Sequence, residues 1–254
     1  MKRQIANAVY IIQNLAVPVL VLIFTTRDLS GLAYLVVIAS KWRVVAVNPR
    51  FWLANLRSNS CDIIVGLSTV ALMSSSPVNS LLSVNIILAG LYGVWLLAIK
   101  PRSGRSVIAL QAFIAQLYGL TTLYLLLDFV ITSFTWIVII LSWLVARAAA
   151  RHFLSAYKDE AIKDKAVIIE LWAFLVAQLA WVFWVWNVIY VLPSSVFAIP
   201  LIGLVASVAA YVAGSMINET LKKKLEKRFV MQQSVFLSAV LLLIIVFTRW
   251  TGQV

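Results

Sequence analysis

The chain has 254 residues, 63% of them hydrophobic and only 12% charged, with a formal charge of +12 and a mean hydropathy of +0.99. A soluble domain averages about 45–50% apolar and about 25% charged residues, so no water-soluble core could hide this much apolar surface. A basic nucleic-acid-binding domain is excluded too, because the cations fall between apolar blocks rather than in one solvated patch.

A bilayer core about 30 Å thick takes roughly 20 residues per helix. Apolar runs at 7–25, 29–47, 61–77, 81–99, 106–127, 130–147, 167–191, 196–214 and 231–248 predict nine spans. The expected fold is an all-α polytopic membrane bundle, residues 1–254 forming a single transmembrane domain. The first run follows a basic start, as in a signal peptide. Thr25, Thr26, Arg27 and Asp28 stand where a small-residue cleavage site would be, so a retained first helix is expected.

The second run has twelve uncharged residues, Leu29 to Ser40, before Lys41. It is either a re-entrant segment or a short span that borrows Val44 to Val47, with Lys41 and Arg43 snorkelling to headgroups. The span is preferred because it keeps these cations with the others. Next, "NPRFWLANLRSN" offers Asn48 as an N-cap and Pro49 at the first helical position. A short interfacial helix is expected there, with Phe51, Trp52 and Leu56 near one face and Arg50 and Arg57 toward headgroups.

The fifth and sixth runs meet near Asp128, which could cap the sixth helix. "SAYKDEAIKDKA" mixes charges and suggests a solvated connector. In "MINETLKKKLEKRF", Ile217, Leu221, Leu225 and Phe229 recur every four residues opposite Lys222, Lys223 and Lys224, as in a second amphipathic segment. The sequon at Asn218 falls on the same side as these lysines and is discounted. Rows of small residues, Gly203 with Ser207 and Ala206 with Ala210 and Gly214, predict close helix approach, with weaker sites at Gly66, Gly90 and Gly93.

Nine spans divide the loops into two sets. One carries nineteen of the 21 Lys and Arg residues and the other only Arg27 and Arg249. By the positive-inside rule the N-terminus is cytoplasmic and the C-terminus outside, probing no particular organelle but fitting a cell (inner or plasma) membrane. Lys41, Arg43, Arg50, Arg57, Lys222, Lys223 and Lys224 then form a basic collar. Topogenic charge and contact with anionic headgroups explain it, at about 1 kcal/mol per cation. An acidic ligand or an acidic partner protein is the alternative, and the small-residue rows could serve a homo-oligomer instead of the fold.

Catalytic constellations are not visible. His152 is the single histidine and Cys61 the single cysteine, which leaves no His or Cys cluster for a metal and no internal disulfide. Within the spans there is no D-x-x-D or E-E carboxylate pair and no mid-span lysine, and the chain has no Gly-rich phosphate loop. No enzyme activity and no cofactor is expected. The spans instead hold neutral polarity: Tyr10, Gln13 and Asn14 in the first, Asn85 in the fourth, Gln111, Tyr118 and Thr122 in the fifth. In the seventh, Glu170, Phe174, Gln178 and Trp181 share a face that Trp184 extends.

Interhelical hydrogen bonding accounts for such residues. The functional alternative is a polar pathway for a small solute, with Gln13, Asn14, Gln111, Glu170, Gln178 and Trp181 as its candidate lining. Glu170 needs a cation, and Arg147, Arg151, Lys41 and Arg43 are candidates. The expected function is a small permease or channel-like protein, the alternative a non-catalytic scaffold or subunit.

Overall fold

The computed structural model describes residues 2–75, 82–130, 135–157, 162, 164–186, 188–191, 198–221, 226–247 and 249–250. Among them, seven helices are long and apolar enough to cross a membrane: Ala8–Thr26, Leu82–Ile99, Arg105–Leu126, Trp136–Ser155, Lys165–Val185, Ile202–Leu221 and Lys227–Ile244. The chain is a multi-pass helical membrane protein by length and composition. Two further predicted runs form shorter apolar helices, Ser30–Ser40 and Ser60–Ser74. At about 1.5 Å per residue, neither alone equals the thickness of a bilayer core.

The chain divides into two compact units, 1–111 and 112–254. The first contains α1 (Lys2–Thr26), α2 (Ser30–Ser40), α3 (Trp42–Val45), α4 (Trp52–Ser58), α5 (Ser60–Ser74) and α6 (Leu82–Val94). In it α1 packs on α2, α5 and α6, and α5 packs on both α2 and α6. Asp28 turns the chain from α1 into α2 with a left-handed backbone, φ 58°, which the short polar side chain of aspartate tolerates. Gly66 of α5 lies where a Cβ would fall 2.8 Å from both the Tyr92 hydroxyl and Val37. It is the contact point of α2, α5 and α6. At Gly90 nothing lies within 4 Å, so that glycine serves no close approach.

The second run does not continue through Lys41. Its helix ends at Ser40, and Lys41 adopts a turn conformation before α3. Asn48 then accepts a 3.3 Å hydrogen bond from the Arg50 backbone N–H and starts a 3-10 turn, Pro49–Phe51, that leads into α4. Phe51, Trp52 and Leu56 are exposed, as an interfacial segment requires, and the Arg50 guanidinium lies 4.6 Å from the Phe51 ring centre.

The second unit is built on the end of α7 (Arg105–Val130), with α8 (Thr135–Ser155), α9 (Lys165–Val185), α10 (Ile202–Leu221) and α11 (Lys227–Phe247). α7 runs through Asp128 to Val130, so Asp128 is a helical residue and not the cap of the next helix. Leu120, Tyr124, Val138, Ala146, Ala173, Val176, Ala180, Trp184, Ile202 and Ala206 form its core. A Cβ at Gly203 would meet the Leu117 carbonyl at 2.8 Å and the Thr121 side chain, and one at Gly214 would meet Phe153 at 2.9 Å. The small-residue row of α10 thus serves packing within the unit.

Three features of this unit differ from the sequence reading. The end of the seventh run, the start of the eighth and the residues just after the ninth form a small antiparallel sheet of β1 (Val188–Val191), β2 (Ala198–Pro200) and β3 (Arg249–Trp250), in the order β2-β1-β3. The chain after α8 is not simply a solvated connector, because Tyr157 and Ile162 are buried with Leu154 and Ile169. Ile217 and Leu221 belong to the end of α10 and pack on that cluster rather than forming a separate amphipathic helix. Lys222, Lys223, Lys224 and Leu225 lie outside the described residues.

Candidate functional site

The densest charged site lies at one end of the first unit. Lys41 follows α2, Asp62 stands in the first turn of α5, and Lys100 follows the last turn of the fourth run. Lys41 Nζ is 2.5 Å and Lys100 Nζ 2.6 Å from the same oxygen, Asp62 Oδ2. The Trp95 indole N–H donates to the other oxygen, Oδ1, at 3.0 Å. Side-chain exposure is 7% at Asp62, 9% at Lys41 and 36% at Lys100. Lys41 therefore turns inward to a carboxylate instead of snorkelling outward.

Local backbone geometry brings these groups together. Residues Trp95–Ile99 form a π turn closed by a 2.8 Å bond from the Lys100 N–H to the Trp95 carbonyl. The wider turn aims both Trp95 and Lys100 at Asp62, a use of π geometry met at functional sites. Pro101 bars the helix from continuing. Gln111 Nε2 secures the exposed carbonyls, donating to Ile99 at 2.8 Å and Arg102 at 3.2 Å. α1 braces the same turn, since the Tyr10 hydroxyl donates to the Leu96 carbonyl at 3.2 Å.

A column of polar groups leads away from this node along the buried face of α6. Tyr92 precedes Trp95 by about one turn and Asn85 precedes Tyr92 by seven residues, so both lie on one face. Asn85 is fully buried, and neither its amide nitrogen nor its amide oxygen has a partner among the described residues. The Tyr92 hydroxyl is likewise buried without a partner. Each such group costs about 1–3 kcal/mol when nothing satisfies it, so two on one helix face form a destabilised polar seam.

The residues predicted to line a pathway do not converge. Gln13 is exposed on α1 and Asn14 half-buried, its amide donating to the Tyr10 carbonyl at 2.8 Å. Gln111 is committed to backbone carbonyls. Gln178 and Trp181 are exposed on α9 together with Phe174, so this stripe faces outward. Glu170 pairs with Arg147, Nε to Oε1 at 2.6 Å, with its side chain 45% exposed. Arg147 also lies 5.2 Å from the Trp143 ring centre. Among the collar residues, Arg50 and Arg57 are exposed, and the Arg43 side chain lies outside the described residues, as do Lys222, Lys223 and Lys224. Asp62 and Lys100 were not singled out in the sequence, although an aspartate in the first turn of an apolar helix was a usable signal.

The second unit holds its own polar contacts. Trp172 donates to the buried Gln116 Oε1 at 3.0 Å, the Tyr124 hydroxyl donates to the Ala180 carbonyl, and the Tyr157 hydroxyl donates to Asn218 Oδ1 at 2.6 Å. No protein-family model, curated protein or solved structure matches the chain.

Proposed function

We propose that the chain is a small-solute permease or channel-like protein whose polar pathway runs through the first unit. The observation that carries this is Asn85, a fully buried amide with neither polar atom partnered among the described residues, on the helix face that leads through Tyr92 to the Trp95–Asp62–Lys41–Lys100 node. A polar seam inside apolar helices is paid back only when something polar occupies it, and a small hydrogen-bonding solute or a file of water does so. On this reading the chain is not an enzyme.

Nine crossings remain the preferred topology, with the N-terminus cytoplasmic and the C-terminus outside. Lys100 ends an apolar segment long enough to cross, and its contact with Asp62 sets the start of α5 at that same depth. Lys41 does the same for the end of α2. This supports α2 and α5 as short crossings of a locally thin region. Short apolar segments beside a polar site are also a feature of transport proteins. The charge split supports a cytoplasmic node in a cell (inner or plasma) membrane.

Reconstitution tests the proposal. Liposomes containing the protein are expected to take up at least one small polar solute from a panel of polyols, amides and monovalent ions faster than protein-free liposomes. Asn85→Leu is expected to reduce that rate at least ten-fold. Equal rates with and without protein, or in the wild type and Asn85→Leu, would reject it.

A second reading rests on the outward face of α9. Gln178 with Phe174 and Trp181, exposed at membrane depth, suits a non-catalytic subunit that seats another membrane-spanning helix or a second copy of the chain. Co-purification of a stoichiometric membrane partner that Gln178→Leu releases would favour it.

A further inference from the structure

We infer that the Lys41–Asp62–Lys100 node is a binding site for a phosphate group, held at the end of the polar column. The node has two ammonium groups and one carboxylate, so one positive charge is left over. Each ammonium has three N–H donors, and among the described residues Asp62 is the one acceptor recorded for each. Donors are therefore left unspent on Lys41, whose side chain is 91% shielded from solvent, in a place where unpaired donors are costly.

Both ammonium groups meet at a single oxygen, Asp62 Oδ2, which brings them close enough for one tetrahedral oxyanion to touch both. The Trp95 N–H and the π turn fix the carboxylate from the opposite side, so the cations are positioned before any ligand arrives. Lys100 is partly exposed and gives the site an opening to the surface. An apolar or cationic ligand gains nothing here, whereas a phosphate oxygen takes charge-assisted hydrogen bonds from two lysines. The phosphate belongs either to a lipid headgroup or to a free phosphate ion or monoester. The inference rests on the proposed pathway only in treating the node as its end. Binding is measured without flux, so failure of one is distinguishable from failure of the other.

The test uses the full chain in neutral detergent. Inorganic phosphate is titrated by calorimetry at constant ionic strength, and retention of phosphatidylglycerol against phosphatidylcholine is measured by native mass spectrometry. Lys100→Gln is expected to weaken the bound species at least ten-fold, Lys100→Arg to restore most of it, and the exposed Arg102→Gln to leave it within two-fold. Saturable phosphate binding identifies a free phosphate group, and selective retention of phosphatidylglycerol alone identifies a headgroup. Absence of both overturns the inference. So does equal weakening by Arg102→Gln and Lys100→Gln, which diffuse attraction to the basic surface would give. A monodisperse elution profile for Lys100→Gln shows that its loss of binding is not loss of fold.

Discussion

Trp95 and Lys100 close on the same carboxylate from its two oxygens: the indole N–H stands 3.0 Å from Asp62 Oδ1 and the ammonium 2.6 Å from Oδ2. The two residues are one π turn apart, and with Lys41 they tie α2, α5 and α6 together at one end of the first unit. Charge neutralisation there is structural.

Removing the carboxylate should therefore be costly. Asp62→Asn leaves Lys41 buried without its counter-charge, and breaking one side of a buried ion pair costs about 3–5 kcal/mol. Thermal unfolding in detergent should show a strongly lowered midpoint for Asp62→Asn. Adding Lys41→Met should recover a large part of it, because the stranded charge is then gone. A midpoint equal to that of the wild type would mean that the pair contributes little.

The ion pair between Arg147 and Glu170 should behave differently. Both side chains are partly exposed, and a pair of this kind is worth under about 1 kcal/mol. Glu170→Gln is expected to leave both the unfolding midpoint and solute flux close to wild type. A large loss of flux would move the pathway to the second unit.

The seam on α6 separates stability from function. Tyr92→Phe removes a buried hydroxyl and Asn85→Leu a buried amide of similar size, neither with a partner among the described residues. Water or solute in the seam satisfies these groups, so flux should fall while stability changes by under about 1 kcal/mol. Paired unfolding and flux measurements on each variant check this. A gain of about 1–3 kcal/mol for Asn85→Leu would mean that the amide is buried dry and would contradict a hydrated seam.

Close packing at Gly66 makes a further expectation. An added methyl there would collide with the Tyr92 hydroxyl and Val37, both at 2.8 Å. Gly66→Ala is expected to destabilise by about 1–3 kcal/mol, and Gly90→Ala, with nothing within 4 Å, to be neutral or slightly stabilising. Unfolding midpoints of the two variants separate these outcomes.

Apolar run length made the helices legible in the sequence, and each of the nine runs contains one. Their ends were less legible. Lys41 breaks the second run because its charge finds Asp62, a partner 21 residues away that no local pattern reveals. Asp128 resembled a cap but stays inside α7, since no glycine or proline stops that helix before it. The small β-sheet was hidden because Val188–Val191 and Ala198–Pro200 are as apolar as the spans they adjoin. Helical spacing predicts one face for Glu170, Phe174, Gln178 and Trp181, extended by Trp184. Trp184 is buried in the core, however, while Phe174, Gln178 and Trp181 are exposed, and spacing does not say whether a face turns inward. On α9 it turns outward. Asn85, noted as one polar residue among several, became distinctive only through its burial and missing partners.

Hydration of the seam on α6 can be read from cysteine reactivity at residue 85. With Cys61→Ala as background, Asn85→Cys is compared in liposomes with Ile87→Cys, a position on the exposed apolar face of the same helix. A small, charged, water-borne thiol reagent attacks thiolate and so needs water at the sulfur. With water in the seam, Asn85→Cys is expected to react at least ten-fold faster than Ile87→Cys, and the reaction to block flux. Equal, negligible reactivity at both positions would show a dry helix contact and contradict the pathway.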